Sequence, residues 1–186
     1  MASKVHSALF LSLILLLGAC DKDQDLSPVP AVKGVSIDLL NDNQAEITVS
    51  FEDGDGNLGL FDFDTGEPRQ FEALVCERMI NGTLVIDTAG STNPYYYNLF
   101  ITYQEMVDGE WIDPDPCESN LLSRRVPVPE PEGQDKTLIG DIVLNNVQVF
   151  LSGETAGGDS IRYGFQLFDR DLNESNVLYS ELLVKE

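Results

Sequence analysis

Histidine is nearly missing from this chain: the single imidazole, His6, sits at the extreme N-terminus of a 186-residue sequence. Everything after it therefore lacks the parts for a Ser-His-Asp triad, a Cys-His pair or a histidine-ligated zinc or copper site. General acid–base work near neutral pH loses its usual agent, which argues against an enzyme. Positive charge is scarce too. Of 11 Lys and Arg, Lys4 falls in residues 1–19, which hold no acid, so 10 bases face 32 Asp and Glu in the remainder, a net charge of −22. Such a surface repels phosphate backbones and anionic lipid, which makes nucleic acid a poor partner, and it attracts cations. The plainer reading of the same charge is solubility of an exported domain.

No apolar run is long enough to cross a bilayer comfortably; the longest stands just after Lys4, from Ala8 to Leu17, and ends in Gly18-Ala19-Cys20. A basic start, a short apolar stretch and small residues before a cut make a secretory leader. Leu17-Gly18-Ala19-Cys20 resembles the bacterial lipobox, in which cleavage leaves a diacylated cysteine as the new N-terminus. Two acyl chains give durable anchoring without a transmembrane helix. The organisation expected is a signal peptide over 1–19, a lipidated cysteine with an acidic and Pro-containing spacer over 20–31, and one domain over 32–186. The acidic tract Asp21-Lys22-Asp23-Gln24-Asp25 resembles the export tract of Bacteroidota surface lipoproteins, a likeness that implies the outer membrane, on its surface or periplasmic face, whereas in other bacteria Asp after the cysteine implies inner-membrane retention.

In the domain, apolar residues recur with period two: Val35, Ile37 and Leu39, then Ile47, Val49 and Phe51. Further strand-forming segments cover 71–80, 95–107, 121–128, 138–151, 161–168 and 177–184. Asn81-Gly82 and Asp108-Gly109 supply the positive φ angles of tight hairpins. No capped amphipathic helix is visible, and Pro127, Pro129 and Pro131 mark a loop or an edge. Seven to nine short strands fit an all-β sandwich of immunoglobulin or fibronectin type III style, with a barrel as the alternative. Outside the cytoplasm disulfides persist; with Cys20 lipidated, Cys76 and Cys117 remain to pair, or to stand as two free thiols.

Two loops carry the same pattern. Asp53-Gly54-Asp55-Gly56-Asn57 follows one expected strand and Asp169-Arg170-Asp171-Leu172-Asn173 another, each an Asp-x-Asp-x-Asn with three oxygen-bearing side chains at alternate positions. Calcium takes several oxygen ligands, and this spacing lets one loop wrap an ion. The first loop half-resembles an EF-hand loop but has Leu58 where that motif needs Gly and Asp64 where it needs Glu, so an EF-hand is rejected. If the two strands are the second and penultimate of a sandwich, their loops meet at one end and up to four carboxylates and two amides converge. Asp, Gly and Asn are also what tight turns demand for backbone reasons alone, with Arg170 neutralising its neighbours.

These two acidic stretches and the leader resemble uncharacterised Bacteroidota lipoproteins with an immunoglobulin-like β-sandwich domain, a likeness that implies architecture more than activity. The expected function is a non-catalytic envelope lipoprotein for binding or scaffolding, stabilised by calcium. The alternative is a carbohydrate-binding accessory of a glycan-uptake system, resting on an aromatic platform of Tyr95, Tyr96, Tyr97 and Trp111. Partners would be the membrane, through the lipid, and a protein or a glycan. Asp87-Thr88-Ala89 and Asp159-Ser160-Ile161 are similar to the O-glycosylation acceptor motif of Bacteroidota.

Overall fold

The computed structural model describes residues 26–61, 71, 74–87, 93–113, 122–129, 137–149 and 160–184. The leader, Cys20, Thr88 and Cys117 lie outside these residues.

Strand β1 (Ala31–Leu39) and strand β2 (Gln44–Asp53) form the first hairpin. Asn41 builds the turn between them, its Oδ1 accepting from the amides of Asn43 at 3.0 Å and Gln44 at 2.9 Å, an Asx turn made by a side chain standing in for backbone. Along β2 burial alternates without a break, with Ala45, Ile47, Val49, Phe51 and Asp53 facing inward. The last of that row is an acid. Strand β8 (Leu138–Gln148) runs antiparallel on the other side of β2 and completes a three-stranded sheet in the order β1-β2-β8.

Strands β5 (Asn98–Val107) and β9 (Ser160–Leu167) form the centre of the second sheet. β6 (Glu110–Ile112) and β7 (Arg124–Arg125) extend it along β5, and β10 (Leu178–Tyr179) and β11 (Leu183–Val184) along β9. Leu99, Ile101 and Tyr103 from β5, with Ile161, Tyr163, Phe165 and Leu167 from β9, pack into one cluster with the inward row of β2 and with Val147 and Val149. Apolar burial between the two inner faces drives this association. The order β1-β2-β8 against β10-β9-β5-β6, with β2 to β5 and β8 to β9 crossing between sheets, is that of an immunoglobulin and fibronectin III-like sandwich. The expected all-β fold is the one observed.

Several expected strands are shorter than their apolar content implies. The described residues 122–128 contribute only the two of β7, and 177–184 contribute two pairs, because side chains take over the pairing there. Ser123, Ser175 and Ser180 accept from the amides of Ile101 at 2.8 Å, Leu167 at 2.8 Å and Tyr163 at 3.0 Å. Among the described residues of 71–80 the strand is β3 (Cys76–Ile80), which pairs with β4 (Thr83–Asp87) as a separate two-stranded sheet. Asn81 and Asp108, at φ 50° and 51°, adopt the left-handed conformation expected of their hairpin turns, followed by Gly82 and Gly109 at 78° and 86°. Tyr95 to Tyr97 are not in a strand. Asn93 accepts from the Tyr95 amide at 3.1 Å, Pro94 starts a helical turn, and α1 (Pro94–Tyr97) delivers the chain to β5. An N-cap followed by Pro at the first helical position outweighs the β-propensity of three tyrosines. Among the described residues no helix is long and apolar enough to cross a membrane.

Candidate functional site

The acidic loops that follow β2 and β9 meet. The Asn57 Nδ2 donates to Asp171 Oδ2 at 2.9 Å, the Arg170 amide donates to the Asn57 carbonyl at 3.4 Å, and the Arg170 guanidinium donates to the Gly59 carbonyl at 3.3 Å. Topology thus brings together residues 114 apart in sequence at the Asn57–Asp171 bond.

The loops do not play the same part. In the second, Asp169 is 1 % exposed and fully committed to the turn. Its Oδ1 accepts from the amides of Asp171 at 2.9 Å and Asn173 at 2.8 Å, and its Oδ2 from the Asn173 side-chain amide at 2.8 Å. The Asn173 carbonyl in turn accepts from the Asp169 amide at 3.2 Å. Those contacts hold Leu172 at φ 66°, a conformation that a side chain with a Cγ adopts at a cost of roughly 1 kcal/mol. Asp169 and Asn173 are turn-builders here. Of that loop's Asp and Asn side chains, Asp171, exposed and reaching across, is the one bonded to the first loop among the described residues. Six residues converging on one point, as the sequence suggested, is therefore not the arrangement found.

The first loop keeps open oxygens. Asp53 is 0 % exposed; its Oδ2 accepts from the Leu58 amide at 2.8 Å and its Oδ1 has no hydrogen-bonding partner. The Asn57 Oδ1 is likewise buried without a partner. Asp55 lies between them in the chain and touches both: its carboxylate accepts from the Asn57 amide at 3.3 Å and from Asn57 Nδ2 at 3.2 Å, and it stands against the Asp53 carboxylate. Burial pushes the Asp53 carboxyl up to about 6, opposed by the Leu58 N–H and reinforced by the negative charges of Asp55 and Asp169. Arg170 does not neutralise this corner. Its guanidinium stacks 4.9 Å from the Phe61 ring centroid, and the one ion pair among the described residues is Lys33 with Glu52. No three His, Cys, Asp or Glu among the described residues are arranged to hold a metal ion. Any cation bound here uses the Asn57 amide and main-chain oxygens as well as carboxylates.

Gly54 joins this corner to the spacer. Its amide donates to the Ser27 carbonyl at 2.9 Å, and a Cβ on Gly54 would fall 2.4 Å from the carbonyl oxygens of Leu26 and Ser27. Only glycine lets the two segments lie this close.

The aromatic platform does not assemble. Tyr95 to Tyr97 precede β5, whereas Trp111 pairs with Met106 near its far end, roughly 27 Å away at strand rise. Tyr95 donates to Glu174 at 2.9 Å, which raises its phenol above the ordinary tyrosine value, and it packs edge-on to Phe168 at 5.0 Å. Tyr96 carries the Arg125 guanidinium at 5.0 Å. Trp111 has gained partners that the sequence did not announce: Arg162 lies 4.4 Å from its ring and 4.0 Å from the Tyr179 ring, its Nε donating to Gln104 at 2.7 Å. Ser160 starts β9, paired with Val184, so that acceptor motif lies within a sheet. Cys76 is disulfide-bonded, and its partner lies outside the described residues. No protein family, curated protein or solved structure matches the chain.

Proposed function

We propose that the chain is an exported lipoprotein, anchored through lipid on Cys20 at the outer membrane, that uses its β-sandwich for binding or scaffolding without catalysis. The observation that carries this reading is the disulfide at Cys76, since such bonds persist in oxidising compartments and are rare in the cytosol. It agrees with the Leu17-Gly18-Ala19-Cys20 leader and with the resemblance to Bacteroidota lipoproteins. Cys117 is the proposed partner of Cys76, because Cys20 is consumed by acylation. The non-catalytic part rests on composition, with no imidazole beyond His6. A carboxyl near 6 is in the range of a general acid, yet Asp53 is buried rather than presented to solvent. The carbohydrate-binding alternative loses support from the separation of Trp111 from the three tyrosines.

Fractionation of cells expressing the wild type and Cys20→Ala tests the proposal. The wild type is expected in the membrane fraction, extracted by detergent but not by salt, and the variant in the soluble envelope fraction or as uncleaved precursor. Equal partitioning of the two would overturn it.

A further inference from the structure

Two buried acceptors at the end of β2 have nothing to accept from. Asp53 closes an otherwise apolar inward row, and its Oδ1 is unpartnered inside a residue that is 0 % exposed. Asn57 repeats the situation with its Oδ1. Turning the Asn57 amide over gives no relief, because its nitrogen now bonds Asp55 and Asp171 and an oxygen there would oppose both carboxylates. A buried polar atom left unmade is costly, and a buried carboxylate beside a second one is more so. Nothing among the described side chains supplies the missing positive charge, since Arg170 faces Gly59 and Phe61 instead. Both unsatisfied atoms are oxygens, and they sit in the one of the two Asp-x-Asp-x-Asn loops whose first aspartate is not wholly spent on its own turn.

We infer that Asp53, Asp55 and Asn57 form a site for one divalent, oxygen-seeking cation of the calcium class, with Asp171 holding the Asn57 amide in place from the opposite loop. Two carboxylates cancel the charge of such an ion. Main-chain carbonyls and water supply the remaining oxygens that calcium accepts at its six to eight positions. Among the described residues no three carboxylates are arranged around one ion, which agrees with a modest site, with a dissociation constant on the order of 0.1–1 mM, the range of extracellular calcium modules. Nitrogen and sulfur ligands are absent from the set, which disfavours zinc and copper. The ion fixes the backbone on both sides of Gly54, so it also secures the spacer that docks there at Ser27. The site stands independently of the lipid tether.

Calorimetric titration and thermal melting of the mature protein in detergent, with calcium, magnesium or chelator at matched ionic strength, test the site. One calcium per chain is expected, with the midpoint about 3–6 °C higher at 5 mM calcium than in chelator and a smaller effect of magnesium. Asp53→Asn keeps an acceptor for the Leu58 amide and should weaken calcium binding at least tenfold, as should Asn57→Ala. Asp55→Asn, at a less buried position, serves if Asp53→Asn does not fold. An identical midpoint in calcium and chelator, or variants that bind as tightly as the wild type, would overturn the inference. A midpoint that answers to pH but not to calcium would overturn it equally, assigning the place to a proton shared by Asp53 and Asp55. Each result is read without reference to Cys20, so failure here leaves the anchoring proposal standing, and the reverse holds too.

Discussion

Asp53 shows how one residue sets the chemistry of a fold's end. Its carboxyl lies near 6 in the folded protein against an ordinary 3.8, so the folded state holds that proton more tightly than the unfolded chain does. Stability from this group is therefore present at low pH and is lost as pH rises from about 4 through about 6, then stays level. In chelator, the wild type should lose thermal stability over that window relative to Asp53→Asn, and the variant should be the more stable at pH 7.5. Parallel pH profiles for the two proteins would show that Asp53 carries no strain. The clue was legible: Ala45, Ile47, Val49, Phe51 and Asp53 form a period-two row in which the fifth member is an acid. Reading the acid as the start of a loop hid the fact that it still faces the core. Asn98 offered no comparable clue. It is 1 % exposed at φ 46°, and its side chain donates to the Val126 carbonyl at 3.0 Å and accepts from the Val126 amide at 2.7 Å. Asn98→Ala removes both bonds and places a Cβ-bearing residue without local compensation in the left-handed region. A loss of roughly 2–4 kcal/mol in urea unfolding is expected.

At the scale of elements, the strands that carry alternating apolar residues were readable and the ones held by side chains were not. β2, β5 and β9 follow the hydrophobic period closely, and the two Asn-Gly and Asp-Gly turns fall where backbone sterics demand. β7, β10 and β11 are two residues each, since Ser123, Ser175 and Ser180 complete the hydrogen bonding with their hydroxyls. A serine in a loop announces no such duty. The tyrosine run misled for another reason: three β-formers in a row conceal the cap at Asn93 and the proline after it. The meeting of the acidic loops, by contrast, follows from strand order alone once a sandwich is assumed. Its division of labour does not, because identical Asp-x-Asp-x-Asn patterns became a self-bonded turn around Asp169 and an open loop around Asp53. The contact of that open loop with the spacer yields a further expectation. Gly54→Ala forces its new methyl against the carbonyls of Leu26 and Ser27, so the spacer must lift away. Limited proteolysis should then cut within residues 21–30 several-fold faster than in the wild type, while the core melts within a few degrees of it. Unchanged cleavage would mean that the spacer is held by other contacts.

The whole molecule is an acidic sandwich whose two sheets pack through apolar inner faces. Its stability should still depend on the compartment. The proposed Cys76–Cys117 bridge would close a long loop and contribute roughly 3–4 kcal/mol by restricting the unfolded chain, so reduction should lower the denaturation midpoint by a corresponding amount. Peptide mapping without reductant should recover those two cysteines in one linked pair. Anchoring at Cys20 is the claim on which compartment, orientation and partner all turn, and the intact mass of protein isolated from native membranes tests it most directly. The account predicts a chain beginning at Cys20 and carrying the added mass of a diacylglyceryl group with or without a third acyl chain. A chain that retains residues 1–19, or one that begins elsewhere without fatty acid, would contradict it.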